Sequence, residues 1–262
     1  MKLEILLSVL NLKNENLDKM NIKSDCVVIN QCGKNDYSEY KNFKIYSCDE
    51  IGVSNSRNKG LKHINGDIIL LCDDDVIYND NYEKRILEEF EKNKKADFIV
   101  FNIDSPNRAI KYNKRNKRLH FYNILRYTST RIAFRRDSVE SNHINFNILF
   151  GPGAKYTSGE DTLFLVEAMK KNLKIYSSTK NLGTVYQSSS TWFNGYTKEY
   201  FFNKGALFTA ISKKFKLFLI LQYLLRHKEV LEDISFYKAF KLMRQGSKQY
   251  INDCKNNSVG EL

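Results

Sequence analysis

The run Asp73-Asp74-Asp75 is the first place in this sequence where residue types and spacing suggest chemistry. It directly follows the apolar segment IILLC (68–72), which is typical of a buried strand. Because alternate residues of an extended segment point the same way, Asp73 and Asp75 are expected to face one site while Asp74 faces away. Two neighbouring carboxylates repel each other unless a cation lies beside them. Magnesium and manganese prefer oxygen ligands and commonly take phosphate oxygens as well. A solvated turn is the alternative interpretation.

A second candidate segment, GVSNSRNKG, spans residues 52–60. It supplies hydroxyls, amides and the guanidinium of Arg57 at the start of a helix predicted over Ser54–Ile64, with Ser54 as its N-cap. A helix N-terminus that carries an arginine suits the anionic or carbonyl groups of a nucleotide. An ordinary capped helix with exposed polar residues would have the same pattern.

A third candidate is the acid pair Glu160-Asp161, which precedes a helix predicted over Thr162–Lys171. Acids at a helix N-terminus are stabilised by the helix dipole, which gives the pair a structural explanation. The functional interpretation is a general base next to a donor site.

The elements that must position these residues alternate between strands and helices. Strands are predicted at Leu3–Leu10, Asp25–Asn30, Phe43–Ser47, Ile68–Cys72 and Phe98–Phe101, and helices at Ser54–Ile64 and Asn81–Lys94. This alternation predicts an α/β fold with a mostly parallel sheet flanked by helices. Ligands bind such sheets at the carboxyl ends of the strands, where the Asp run lies.

The second half of the chain changes character. An edge strand is predicted at Arg131–Phe134 and a further strand at Lys174–Ser177, and from Thr197 onward the pattern is helical. We therefore divide the chain into an α/β domain, 1–200, and a helical C-terminal extension, 201–262.

The net charge of +12, from 42 Lys and Arg against 30 Asp and Glu, is concentrated in two stretches. Residues 105–136 contain ten basic residues and no acid, and residues 200–228 contain six and no acid. Together they exceed the net charge of the whole chain, so the remainder is slightly acidic. This distribution argues against a uniformly basic nucleic-acid coat and suggests a localised anionic partner.

Other bulk features narrow the class of protein. The sequence has 262 residues and 42% hydrophobic residues, enough for a sizeable core. Five cysteines without a CxxC pair argue against a disulfide framework or a zinc ribbon. No signal-peptide pattern and no apolar stretch of about 20 residues is evident, so we expect a cytoplasmic protein.

Taken together and in this order, the motifs resemble the inverting glycosyltransferases of family 2, which have the GT-A fold. The resemblance covers about residues 3–190. It rests on the segments LLSVLN, VVINQ, GVSNSRNKGL, NGDIILLCDDD and SGEDTLFLVEAMKKNLKIY. Each segment alone is a weak signal, but their order and spacing are specific. The resemblance implies a Rossmann-like sheet and a donor that is a nucleotide-diphosphate sugar.

For the donor side, the resemblance implies roles for individual residues. Asp73 and Asp75 match the DxD motif: the first contacts the ribose region of the nucleotide, and the last binds a divalent metal, manganese or magnesium, chelated by the diphosphate. Asp74 lies between them and is included with the nucleotide-sugar-binding residues. The segment that lines the nucleotide pocket in the family corresponds here to Ser56, Arg57 and Asn58.

On the acceptor side, Asp161 matches the catalytic base and Glu160 its neighbour near the acceptor. Two departures from the family pattern stand out. Asn30-Gln31 replaces the aspartates that usually end the second strand, although an amide oxygen can still accept a hydrogen bond from the uracil imide. A histidine often found after the strand that follows the Glu-Asp helix has no counterpart in Val185-Tyr186-Gln187-Ser188.

The implied function is transfer of a sugar, with UDP as the expected nucleotide, to a glycan acceptor. By family habit we expect a lipid-linked acceptor in capsule, exopolysaccharide or O-antigen synthesis. Two alternatives stay open. One is a non-catalytic nucleic-acid-binding protein, although we recognise no nucleic-acid-binding motif and expect no such partner. The other is a different metal-dependent enzyme acting on activated phosphates, such as a nucleotidyltransferase.

The basic and aromatic stretches suggest the acceptor and its location. We expect a phosphate of a lipid-linked acceptor to meet a basic cluster, and Trp192, in an aromatic-rich segment, to lie on the acceptor side and stack on a sugar. Lys213–Lys228 (KKFKLFLILQYLLRHK) has an apolar centre and basic ends, as in helices that lie at an anionic membrane surface. Solvated loops and burial in a core are the alternatives. The basic cluster comprises Lys111, Lys114, Arg115, Lys117, Arg118, Arg135 and Arg136.

Overall fold

The computed structural model describes residues 1–106, 110–186 and 195–256, and the chain divides into two compact units. The first unit contains residues 1–148 and 160–189, and the second contains 149–159 and 190–262. This division assigns a short internal segment, 149–159, to the same unit as the C-terminal helices. The boundary at 200/201 stays a prediction.

The first unit is built on one ten-stranded sheet. Its strands are β1 (Leu3–Leu10), β2 (Asp25–Gln31), β3 (Asp36–Tyr40), β4 (Phe43–Cys48), β5 (Ile68–Asp73), β6 (Val76–Tyr78), β7 (Phe98–Asp104), β8 (Lys117–Arg118), β9 (Ile132–Arg135) and β10 (Ile175–Val185). The strand order is β3-β4-β2-β1-β5-β9-β7-β10-β6, with β8 paired to β10.

Helices connect these strands. They are α1 (Asn14–Lys19), α2 (Val53–Leu61), α3 (Tyr82–Lys92), α4 (Phe121–Ile124), α5 (Arg136–Ser141) and α6 (Glu160–Lys170), and a 3-10 turn lies at Ser129–Arg131. The predicted α/β fold with a sheet flanked by helices is confirmed. Strands β4, β2, β1 and β5 run parallel, as do β7 and β10. The sheet as a whole is mixed and not mostly parallel, because β3, β6, β8 and β9 pair antiparallel with their neighbours. Apolar runs such as IILLC are buried on both faces, as expected for a parallel sheet.

Two local predictions were wrong. Residues 132–135 form an interior strand, β9, which pairs antiparallel with both β5 and β7, and not an edge strand. The N-cap of α2 is Gly52 and not Ser54. Gly52 has a φ of 123°, a conformation that side chains disfavour, so glycine suits this turn.

The second unit is helical, as the pattern after Thr197 predicted. It contains α7 (Lys198–Ile211), α8 (Lys216–Arg226), a 3-10 turn (Lys228–Leu231) and α9 (Phe236–Asn256). Helices α7 and α9 approach closely at two glycines: a Cβ on Gly205 would lie 1.9 Å from the Met243 carbonyl oxygen, and one on Gly246 would lie 1.9 Å from that of Phe202. Across the described ranges, no helix combines the length and apolarity needed to cross a bilayer.

Candidate active site at the carboxyl ends of the strands

The carboxyl ends of β1, β2 and β5 meet at the start of helix α2. Strand register places Ser8 of β1 beside Asp73, the last residue of β5. The Ser8 hydroxyl donates to Ser56 Oγ at 2.6 Å and accepts from Gln31 Nε2 at 3.3 Å. The Gly52 N–H donates to Gln31 Oε1 at 2.7 Å. These hydrogen bonds hold the first turn of α2 against the sheet. They therefore fix the direction in which the side chain of the next residue, Arg57, extends from the helix.

Arg57 is the centre of the site, with only 2% of its side chain exposed. Its guanidinium donates to Asp73 Oδ1 at 2.9 Å and to Asp161 Oδ1 at 2.6 Å, and lies 3.6 Å from Glu160 Oε1. It also lies over the ring of Phe146, 5.3 Å from its centroid. Burial opposes the arginine's charge, but the three carboxylates outweigh burial and raise its pKa.

A serine outside the predicted motifs closes this arrangement into a ring. The Ser129 hydroxyl donates to Asp73 Oδ2 at 2.7 Å, and its N–H donates to Asp161 Oδ2 at 2.8 Å. Each carboxylate is thus held at one oxygen by Arg57 and at the other by Ser129. The ring Arg57–Asp73–Ser129–Asp161 joins four distant parts of the chain and fixes the orientation of both acids.

The acid pair at the start of α6 is largely buried, with 10% of the Glu160 side chain and 13% of the Asp161 side chain exposed. Burial raises the pKa of Asp161, and Asp73 adds to this, while Arg57 opposes it. Burial and the neighbouring Asp161 also raise the pKa of Glu160. Two buried acids next to one arginine are the kind of environment in which one carboxyl keeps its proton near neutral pH and the other can accept one.

The Asp run begins in β5 and ends in a turn. Asp73 and Asp75 are half-buried and Asp74 is exposed. Because Asp74 and Asp75 lie in the turn and not in an extended segment, the expectation that Asp73 and Asp75 face one site stays a prediction. Asp75 Oδ1 is buried and has no hydrogen-bond partner within the described residues. Burial, together with Asp73 and Asp74, raises the pKa of Asp75 to about 6.

Asp75 is suited to bind a cation whose other ligands come mainly from a bound substrate. Where the structure describes the chain, no three His, Cys, Asp or Glu residues form a group able to hold a metal. The unpartnered oxygen of Asp75 is nevertheless suited to one position of a magnesium or manganese ion, since such ions commonly take one or two carboxylates and complete their shell with phosphate oxygens and water.

The remaining predicted donor-side residues have hydrogen-bond partners of their own. Asn30 Oδ1 accepts from the Leu12 N–H at 2.9 Å, and Asn30 Nδ2 donates to Ser47 Oγ at 3.3 Å. The Asn58 amide exchanges two hydrogen bonds with the backbone of Phe146, at 2.8 and 2.7 Å. Asn58 therefore anchors the segment that carries the ring beneath Arg57. Roles of both residues in nucleotide binding stay predictions.

The basic cluster predicted to meet an acceptor phosphate is not one surface. Lys117 and Arg118 pair with the first residues of β10, at the sheet edge opposite to Asp73. Arg135 donates to the carbonyl oxygens of Ala96 and Phe90, and Arg136 lies near Asp137 and Glu140. Lys111, Lys114 and Arg115 are exposed. The prediction for Trp192 falls outside the described residues.

Sequence reasoning missed Ser129 and the function of Gln31. Ser129 lies in a short 3-10 turn after the basic stretch, and nothing in its sequence neighbourhood distinguishes it from other serines. Gln31 was noted only as a departure from the family pattern. In the structure it links Gly52 to Ser8, a role that an amide can perform because it both donates and accepts.

Comparisons with known proteins agree with this architecture. The model of the family described as "Glycosyl transferase family 2" matches residues 27–150. A search of curated proteins finds no match. Among solved structures, S. aureus TarS 1–349 in complex with UDP-GlcNAc aligns with a TM-score of 0.64 and 14% identity, covering 97% of this chain and 92% of that chain.

Two further TarS structures align similarly. The complex of TarS 1–349 with UDP gives a TM-score of 0.61 and 16% identity over the same shares of both chains. A longer TarS structure gives 0.61 and 18% identity, covering 89% of this chain and 44% of that chain. Identities this low establish similarity of fold alone. The matched segment and the architecture agree with the expected resemblance: residues 27–150 match glycosyl transferase family 2, and the chain has the GT-A fold.

Proposed function

We propose that this chain transfers a sugar from a nucleoside-diphosphate sugar, with UDP as the nucleotide, to a hydroxyl of a glycan acceptor, inverting the anomeric carbon. The ring Arg57–Asp73–Ser129–Asp161 is the observation that carries the proposal. The ring holds Asp161, a buried acid that can act as a base, next to Asp73. Asp73 lies at the carboxyl end of a strand, which is where α/β sheets bind nucleotides. The TarS complexes with UDP-GlcNAc and UDP support the choice of donor.

The nucleotide is proposed to bind along the ends of β1, β2 and β5. Asn30 Oδ1 accepts one hydrogen bond from the Leu12 N–H, and its second lone pair is suited to the imide N–H of uracil. Asp73, fixed by Arg57 and Ser129, is available to the ribose region, with Asp74 exposed beside it.

Asp75 is the residue proposed to hold a divalent cation, manganese or magnesium, together with the diphosphate of the donor. A bound cation would supply positive charge that stabilises the departing diphosphate. On the protein side, the buried and unpartnered Oδ1 of Asp75 makes this carboxyl suitable as a ligand.

Asp161 is proposed as the general base. It takes the proton from the acceptor hydroxyl while the hydroxyl oxygen bonds to the anomeric carbon. The bond from that carbon to the diphosphate oxygen breaks, and the nucleoside diphosphate leaves with the electron pair. General-base assistance contributes roughly 10²–10⁴-fold. Burial, by raising the pKa of Asp161, brings it closer to the value at which a base works best near neutral pH.

The acceptor is proposed to be a lipid-linked glycan in surface-polysaccharide synthesis at the inner face of the cell membrane. Support comes from the match of residues 27–150 to glycosyl transferase family 2 and from the exposed Lys111 and Lys114, which follow the end of β7. Glu160, next to the base, is the proposed acceptor-side residue, with Trp192 as a further prediction from the sequence.

Calorimetric titration of UDP and a panel of nucleotide sugars, with and without manganese, tests the donor half of the proposal. We expect metal-dependent binding of UDP-sugars. Product analysis on the same panel should then find free UDP. Release of pyrophosphate would instead identify a nucleotidyltransferase. Salt-sensitive binding of nucleic acid without nucleotide-sugar binding would replace the enzyme proposal with a binding protein.

A further inference from the structure

Among the described residues, helix α8 (Lys216–Arg226) is covered on one side only. Ile220 and Leu224 are fully buried, whereas Phe218 is 63% exposed and Leu225 is 62% exposed. Burial in a core therefore explains some of the apolar side chains in the centre of this segment but not the exposed ones. We call the large exposed apolar side chains of this helix and its N-cap the apolar strip: Phe215, Leu217, Phe218, Leu221 and Leu225.

The apolar strip is continuous along the helix. Leu217, Leu221 and Leu225 recur every four residues, and Phe218 stands three before Leu221 and seven before Leu225. These spacings place the side chains next to one another on one face. Single exposed hydrophobic residues need no explanation, but a contiguous apolar face on an otherwise charged unit indicates an interaction surface.

Basic residues stand at both ends of the apolar strip. Lys213 and Lys214 precede the helix, Arg226 and Lys228 end and follow it, and all four are exposed. No Asp or Glu occurs from residue 200 to residue 228. The first acid beyond them, Glu229, lies 2.9 Å from the Nδ1 atom of His227.

The same helical unit is basic as a whole. Residues 195–256 contain twelve Lys and Arg but only five Asp and Glu. One of the five acids, Asp253, is buried and lies 2.6 Å from the Nζ atom of Lys155. The surface that surrounds the apolar strip therefore attracts an anionic partner.

We propose that the apolar strip and its basic flanks form a docking face for the surface of an anionic lipid bilayer. The adjacent apolar side chains of the strip can enter the boundary between head groups and acyl chains. The basic side chains at both ends of the helix can reach anionic head groups. An eleven-residue helix is far too short to span a bilayer, so the contact is one of lying in the surface.

The positive charge at both ends of the apolar strip favours a lipid surface as its partner and disfavours a second copy of this chain. If two copies paired through their apolar strips, antiparallel helices would bring Lys213 and Lys214 of one copy to Arg226 and Lys228 of the other. A parallel arrangement would oppose like charges at both ends as well. Like charges across an interface disfavour association, whereas an anionic surface neutralises all of them. This inference does not depend on the proposed catalytic function.

Vesicle sedimentation with the full chain tests the docking face. We expect binding to vesicles of phosphatidylglycerol and phosphatidylcholine that weakens with salt, and little binding to phosphatidylcholine alone. The double substitution F218S/L225S should weaken binding at least tenfold, because it removes two large side chains from the contact. The double substitution K213Q/K214Q should weaken it about fivefold for each lysine removed.

Matched controls lie in the other unit. Tyr122→Ser removes a side chain that is 77% exposed, and K94Q/K95Q removes another adjacent pair of exposed lysines. Both controls should bind like the natural chain, and circular dichroism should show all variants folded. Absence of binding, equal binding to neutral vesicles, or unchanged binding by F218S/L225S would overturn the proposal. So would a dimer, seen by sedimentation velocity, that F218S/L225S dissolves while vesicle binding is absent.

Discussion

Asp161 is held at both of its oxygens, by the Arg57 guanidinium and by the Ser129 N–H. An acid fixed in this way cannot rotate freely, so any proton it accepts must come from a defined direction. Its burial makes the charged form costly, while the adjacent arginine offsets part of that cost. At the scale of single residues, the site thus combines a restrained orientation with a pKa shifted toward neutrality.

Asp161→Asn should lower kcat by about 10²–10⁴-fold, because an amide cannot accept the acceptor's proton. Donor binding, measured by calorimetry, should persist. In the natural chain, activity should fall as pH drops through a pKa above that of an ordinary aspartate, since burial raises it and the base must be ionised. Asp137→Asn, at an exposed position, serves as the control. Unchanged turnover in the Asp161 variant would remove this residue from the role.

Ser129→Ala tests the link between the two acids. The substitution deletes the hydroxyl that donates to Asp73 but keeps the backbone N–H that donates to Asp161. A hydrogen bond to a charged group contributes about 1.5–3 kcal/mol, so we expect kcat/KM for the donor to fall about tenfold or more. The exposed Ser141→Ala should leave it unchanged. Equal kinetics in the two variants would show that Asp73 needs no such partner.

At the scale of elements, the sequence predicted best where one local pattern decides the structure. The run IILLC followed by three acids predicted β5 and the position of Asp73, because an apolar run bounded by polar residues leaves few alternatives. Strand β9 was predicted at the edge but lies inside the sheet, because its place depends on pairing with β5 and β7. Ser129, just before β9, was missed for the same reason: long-range pairing brings it to the site.

Gly205 and Gly246 show how elements of the helical unit depend on single positions. A Cβ at either glycine would lie 1.9 Å from a carbonyl oxygen of the facing helix, and backbone cannot move aside as a side chain can. Gly246→Ala should therefore destabilise this unit by about 1–3 kcal/mol or more, although alanine is the better helix former. Gln245→Ala, at the exposed neighbouring position, should be neutral or slightly stabilising. Thermal unfolding that ranks the two variants equally would contradict the close approach of α7 and α9.

At the scale of the whole molecule, buried acids link stability to pH. Glu160 lies beside Asp161, Asp73 and Arg57, and burial with the neighbouring acids raises its pKa above the ordinary value of 4.5. Between that value and its raised pKa, the folded chain binds more protons than the unfolded chain. The contribution of Glu160 to stability is therefore complete at low pH and is lost as pH rises through this window.

Glu160→Gln keeps the neutral form at every pH and should remove this loss. We expect the Tm difference between this variant and the natural chain to be larger at pH 8 than at pH 5, in favour of the variant. Each kcal/mol of unfolding free energy gained by the variant should raise its Tm by about 2–4 °C. Glu140→Gln, at an exposed position, should follow the natural chain at both pH values. A Glu160 variant that is less stable by the same amount at both pH values would mean that the charged form of Glu160 is the one the fold requires. Arg57 would then hold three ionised acids, and Glu160 would not be the carboxyl that keeps its proton next to the base.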